Sequence, residues 1–300
     1  MKKETLALLA LVASMSIFGT LGVVRPLIPL GSGTVALCRA VIGGLMLLFP
    51  LLLPSKRGAL RGVRPHLPLL FLSGAAIGFN WILLFEAYRY TSVAVATVSY
   101  YTAPLFLLLG AALLFGERLP RISLVTMPLA LLGLLLVSEL LSGAVGASSH
   151  LLGVGLGVAA AVLYATAVLC NKRLGGIAPD VRTFCQMASA ALVLLPYVLL
   201  REGLSPLLGL TTPALLWLLT AGILHTGIAY LLYFYAVGSL GTLSLAVFSY
   251  LDPIIAVLLS ALVLRQELSL LTVIGILCVL LSAAFTELIP SRRHKKEPRQ

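Results

Sequence analysis

Residues 74–133 recur, 149 positions further on and without a gap, as residues 223–282. The stretch LFEAYRYTSVAVATVSYYTAPL at 84–105 is answered by YFYAVGSLGTLSLAVFSYLDPI at 233–254, pairing Phe85 with Phe234, Ala87 with Ala236, Tyr101 with Tyr250 and Pro104 with Pro253. A chain that writes one unit twice must fold both copies alike. Both copies are too apolar for soluble helices. A duplicated membrane unit points to a path built where the two copies meet.

Composition agrees. Hydrophobic residues are 60% of the 300-residue chain and charged residues 10%, against about 25% charged in a soluble domain. The apolar runs are each near the ~20 residues a helix needs to cross a bilayer, and they lack the alternation of a membrane β-barrel. Ten helices are expected, at about 5–24, 32–53, 67–88, 92–115, 120–141, 150–171, 179–200, 211–236, 240–264 and 268–289. Pro26, Pro29, Pro54, Pro65, Pro120, Pro179 and Pro213 punctuate them, as residues that start or stop helices do. The expected fold is all-α integral membrane: ten transmembrane helices as two inverted five-helix repeats. The repeats span 1–145 (helices 1–5) and 146–290 (helices 6–10), with a basic cytoplasmic tail at 291–300. Five is odd, so the second repeat enters the membrane with the opposite orientation.

Lys2, Lys3, Lys56, Arg57, Arg61, Arg64, Arg118, Arg121, Lys172, Arg173, Arg182 and the basic tail fall on one side, and Arg25, Arg89, Arg201 and Arg265 on the other. This bias puts both termini in the cytoplasm. It also accounts for the net charge of +11, so no nucleic-acid partner is expected. Lys2–Lys3 ahead of an apolar run has the look of a leader. The run continues to about Val24, longer than a leader's apolar core, and is read as a retained first helix. Cys38, Cys170, Cys185 and Cys278 lie in apolar segments without metal-ligand spacing, so they read as packing residues.

Two stretches carry a family likeness. One is Tyr101–Thr102–Ala103–Pro104 running on to Leu114–Phe115–Gly116–Glu117–Arg118–Leu119. The other is Tyr250–Leu251–Asp252–Pro253 running on to Leu264–Arg265–Gln266–Glu267–Leu268. With ten short-looped helices, they make the chain resemble the EamA-type branch of the drug/metabolite transporter superfamily. Its members show an apolar helix after that proline, ending in Gly-Glu-x-Leu. The first copy keeps Gly116 and Glu117; the second has Arg265 and Gln266, so Glu117 has no second acid at its repeat position. Phe18–Gly19 and Arg39, answered by Tyr164–Ala165 and Gln186, extend the likeness to the early helices. The resemblance implies a multi-pass secondary carrier of a bacterial-type cytoplasmic (plasma) membrane, commonly an exporter of amino acids, amines, other metabolites or drugs. Its partners would be a small-molecule substrate and the lipid bilayer, with proton coupling and a homodimer both left open. No cofactor or metal is expected.

Polar groups at membrane depth mark candidate sites. Arg39 either grips a substrate carboxylate with parallel bonds, or pairs structurally with Glu86 or snorkels. Asp252, placed by periodicity in mid-helix before Pro253, either couples protons or binds an amine, or only caps backbone groups freed at the proline. His225 either changes charge or packs neutral. Asn80 either reads substrate or bonds across helices. Tyr101, Tyr230, Tyr250 and Trp81 either line a cavity that holds apolar or cationic groups or pack. Tyr88 and Tyr90, near a helix end, read as interfacial anchors. Pro104 and Pro253 read as kink sites. Gly153 and Gly157 suit close helix contact, as do Gly74 and Gly78. A membrane-embedded enzyme acting on a lipid-linked substrate, or a channel, is the alternative. The chain has no H-E-x-x-H, G-x-S-x-G or P-loop for the first, and no charged ring or filter loop for the second.

Overall fold

The computed structural model describes residues 3–53, 61–116, 119, 121–137, 147–174, 176–237, 239–240 and 248–288. The helices are α1 (Lys3–Gly19), α2 (Ser32–Leu51), α3 (Leu67–Tyr90), α4a (Val93–Tyr100) and α4b (Ala103–Phe115), α5 (Ser123–Val137), α6 (Ala147–Arg173), α7 (Pro179–Arg201), α8a (Thr212–Gly222) and α8b (Ala229–Val237), α9 (Leu251–Leu262) and α10 (Leu270–Leu288). A π-helical turn, Ile223–Ile228, joins α8a to α8b. Among the described residues, seven spans are long and apolar enough to cross a membrane, and three shorter apolar helices lie at Ser123–Leu136, Leu251–Leu262 and Leu270–Phe285. The chain is an all-helical membrane protein of about ten helices.

The helix contacts obey the repeat. α3 packs on α6, and its counterpart α8 packs on α1; α3 packs on α7, and α8 on α2; α4 packs on α6, and α9 on α1. The remaining main pairs, α2–α7, α4–α9 and α5–α10, are their own counterparts. Exchanging the halves leaves the pattern unchanged, as a pseudo-two-fold axis through those three pairs requires. The largest buried cluster lies across the halves, with Val35, Leu47, Trp81, Phe85, Met187, Leu194, Val198 and Leu218 from α2, α3, α7 and α8. Lipid is as apolar as these side chains, so close packing and interhelical hydrogen bonds hold such a bundle. At Gly157 an added Cβ would fall 2.8 Å from Ser99 Cβ, so α6 reaches α4a only because a glycine is there.

The prolines act differently from simple kinks. Pro104 has no N–H to donate, and its ring would crowd the carbonyl of residue 100. The helix therefore stops at Tyr100 and restarts at Ala103, with Pro104 in the first turn of α4b, where a missing N–H costs nothing. Tyr250 (φ −71°, ψ −9°) and Thr102 (φ −74°, ψ −4°) take nearly the same conformation just before α9 and α4b. Asp252 is thus not in mid-helix as the periodicity suggested, but in the first turn of α9.

The helix C-termini also match. Gly116 ends α4b at φ +66°, and Arg265, its repeat mate, stands beyond α9 at φ +51°. An L-residue pays roughly 1–2 kcal/mol in this left-handed region, glycine almost nothing. Arg265→Gly should therefore stabilise the protein by about 1 kcal/mol, read as a rise in apparent Tm in detergent. An unchanged or lower Tm would show that the Arg265 side chain offsets its backbone strain.

Candidate functional site

The helix breaks bring two candidates together. Tyr101 donates its hydroxyl to Asp252 Oδ2 at 2.9 Å, joining α4 to its counterpart α9. The free N–H groups of the first turn of α9 favour a carboxylate there. Tyr100 stands edge-on to Tyr101 at 5.8 Å and to Tyr164 at 5.5 Å. Tyr88, Tyr100 and Tyr230 are all within electrostatic reach of Asp252. Tyr100, Tyr101, Tyr230 and Asp252 are each half-buried.

Arg39 is within electrostatic reach of the same tyrosines, Tyr230, Tyr88 and Tyr100, and of His225. It is 3% exposed. Its Nε donates to Thr226 Oγ1 at 3.1 Å, and its guanidinium lies over Trp81, 4.3 Å from the ring centroid, and 5.4 Å from that of Phe85. Its Nη1 is buried with no hydrogen-bond partner among the described residues. The π turn makes this possible. Thr226 sits in it and donates its own proton to Ala221 O at 3.1 Å, leaving its oxygen free to accept from Arg39. Such turns often occur at functional sites. The expected partner Glu86 is elsewhere, accepting from Ser32 at 2.6 Å and pairing with Arg89 at 3.1 Å. The site thus has a buried cation and a carboxylate, on opposite halves, facing a shared group of tyrosines.

Other candidates are held by contacts within the bundle. His225, 1% exposed, places Nδ1 3.2 Å from the Thr220 carbonyl and Nε2 2.8 Å from Thr20 Oγ1, tying α8 to the chain just after α1. A carbonyl only accepts, so Nδ1 carries a proton. Tyr230 stacks on Phe234 (5.9 Å, 19°) and meets Phe18 edge-on at 5.3 Å. Tyr250 stands at the break before α9. Glu117 lies outside the described residues.

Asn80 donates to the Ala160 carbonyl at 2.6 Å, across α3 and α6. Its repeat mate is Ala229. On the register that pairs Phe18 with Tyr164, Ser14 is the mate of Ala160, and Ser14 donates to the Ala229 carbonyl at 2.8 Å. The same interface is tied in both halves, with the donor on α3 in one and on α1 in the other. Arg39 and its mate Gln186 show a related parallel, since Gln186 reaches the hydroxyl of Ser73 on α3 as Arg39 reaches Thr226 on α8. Asn80→Ala should therefore lower stability by about 1 kcal/mol and leave the apparent KM for transport unchanged. A several-fold rise in KM would return Asn80 to the substrate site.

Sequence reasoning missed Thr226 and Thr20, because a hydroxyl in an apolar helix carries no signal until its partner is known. It also misplaced Tyr88. Tyr90 is exposed as an interfacial anchor should be, whereas Tyr88 is half-buried and faces Arg39. A groove of about 420 Å³ between α2 and α7, lined by Leu37, Cys38, Val41, Ala191, Leu195 and their apolar neighbours, presents almost no polar surface. It lacks the groups that would orient a polar substrate.

Comparison with known proteins gives a consistent result. The model of the EamA-like transporter family matches residues 5–139 and again residues 151–288. The chain is 28% identical over 289 residues to the uncharacterized transporter YxxF of Bacillus subtilis (strain 168), covering 95% of this chain and 90% of that one. It is 25% identical over 215 residues to an uncharacterized transporter of Clostridium kluyveri, covering 69% and 68%. A solved crystal structure superposes with a TM-score of 0.63 at 23% identity over 97% of this chain and 99% of that one, a likeness of fold.

Proposed function

Because this chain belongs to the EamA-like transporter family, and is therefore a membrane transporter, we propose that it is a secondary carrier exporting a small metabolite by alternating access. Residues 1–145 and 146–290 would be the two moving halves, with both termini cytoplasmic. The substrate best matched to the site is an aromatic or amphipathic zwitterion, such as an amino acid. The observation that carries this reading is Arg39, whose Nη1 is buried without a partner among the described residues while Nε and the guanidinium face are held. A guanidinium so placed can accept a carboxylate at modest reorganisation cost. Asp252, across the shared tyrosines, would take the amine in exchange for the Tyr101 hydroxyl. A substrate that bridges the two halves binds the open and closed arrangements differently, which is what a carrier requires to bias its states.

Counterflow in proteoliposomes tests the reading. Vesicles loaded with unlabelled phenylalanine, phenethylamine or phenylacetate are diluted into trace label. Transient accumulation of labelled phenylalanine, driven by internal phenylalanine, is expected. Equilibration without overshoot would make the protein a channel. Accumulation of phenethylamine but not phenylalanine would remove Arg39 from the substrate site.

A further inference from the structure

Four side chains from the second half reach across to the first at one end of the bundle, in three ties. Beyond the last turn of α7, Glu202 accepts from the backbone N–H of Gly33 (2.9 Å) and of Thr34 (2.8 Å) and from the Thr34 hydroxyl (2.6 Å), all at the start of α2. Gln266, between α9 and α10, accepts from Val93 N–H at the start of α4a at 3.0 Å, and Ser260 of α9 accepts from Ala94 N–H at 3.3 Å. His150 of α6 meets the Thr91 hydroxyl at the end of α3 at 2.9 Å. Chain topology puts all these termini on the same face, the one the Lys/Arg bias assigns to the outside. The opposite ends of α2, α3, α6 and α7 meet through an apolar cluster, Leu51, Val63, Leu70, Leu174, Ile177 and Val181.

We propose that Glu202 is the latch of the outer gate: a carboxylate on α7 that holds the N-terminus of α2 and must let go for the outward-open state to form. α2 and α7 form one of the self-paired contacts between the halves, so a tie across them joins one half directly to the other. The latch is a carboxylate, and it accepts from three donors at the positive end of the α2 dipole, an arrangement that strengthens each bond. It also belongs to a two-helix contact built for close approach. A Cβ at Gly33 would sit 2.9 Å from Glu202 Oε1 and 2.7 Å from Tyr197 Cε1. Next to it, Arg25 donates to the Ile28 and Leu30 carbonyls and to Ser32, and Ser32 donates to Glu86. The first turn of α2 is therefore held rigidly for the carboxylate to grip.

Distance measurement between spin labels tests this without any substrate, so its outcome is separate from that of the carrier reading. Labels replace the exposed Leu27 and Leu204 in a chain whose four cysteines are changed to alanine. The unaltered latch should give one dominant short distance. Glu202→Ala should enrich a longer distance about tenfold or more, with Thr34→Val, which removes only the hydroxyl donor, moving the same way to a smaller extent. Where Glu202→Ala does not fold, Glu202→Gln and Thr34→Val carry the test. Folded, monodisperse variants that keep the original distribution would overturn the proposal and leave Glu202 as a static helix cap.

Discussion

Replacing Arg39 with glutamine should abolish accumulation of carboxylate-bearing compounds, by about 100-fold or more in kcat/KM, while the protein still folds. The choice of glutamine comes from the protein itself. Gln186 holds the equivalent position in the second half and reaches a hydroxyl, Ser73, as Arg39 reaches Thr226. The fold therefore accepts an amide at this place. The amide cannot supply the parallel donors of a guanidinium, and Thr226 stays satisfied through the Ala221 carbonyl. Lysine should do nearly as badly, because an ammonium cannot stack flat on Trp81 while donating to Thr226. Counterflow of phenylalanine, with circular dichroism as a check on folding, gives the result. Normal counterflow by Arg39→Gln would make Arg39 a packing residue and remove the main support for an anionic group on the substrate.

The second large effect falls on Asp252. Asp252→Asn should cut transport of amine-bearing compounds by about 10- to 100-fold and spare phenylacetate. If the carrier is also proton-coupled, an imposed pH gradient should accelerate efflux in the native protein and not in the variant. The amide keeps an acceptor for Tyr101, so the tie between α4 and α9 survives and the loss is one of charge. Tyr101→Phe separates the two roles: it leaves the carboxylate but deprives it of its 2.9 Å partner, and should shift KM more than kcat. Asp252→Asn transporting amines normally, with an intact response to the gradient, would reduce the acid to a cap on the first turn of α9.

Much of the architecture was legible before any coordinates. Apolar runs and prolines located the helices, because in a membrane the chain has few alternatives to a helix, and the 149-residue offset exposed the duplication. The way the prolines act was not legible. Pro104 stands just past a helix break, and Asp252, next to Pro253, sits at the start of α9 and not in mid-helix, a difference that depends on three-dimensional crowding. The site was only partly visible. Arg39, Trp81, Tyr101, Tyr230 and Asp252 stood out as polar or aromatic groups at membrane depth, and they do converge. Nothing in the string of residues could say that Asn80 faces a carbonyl 80 positions away, or that Glu202, unremarkable in its loop, plugs the start of α2. Such pairings arise from tertiary contact, and the residue types involved occur in many other settings.

The exchange of donors between Asn80 and Ser14 bears on how duplicated proteins diverge. After a gene doubles, each contact exists twice, and either participant may come to supply its bond, provided the other offers a backbone carbonyl. Here the two copies settled on opposite solutions: asparagine on α3 in one, serine on α1 in the other. Comparing Asn80 with its mate Ala229 suggests a polar group lost, and comparing Ser14 with Ala160 suggests another. Comparing interface with interface finds one side-chain-to-carbonyl bond in each. The inherited unit is the joint between helices, and the amino acid that fastens it is free to drift from one side to the other.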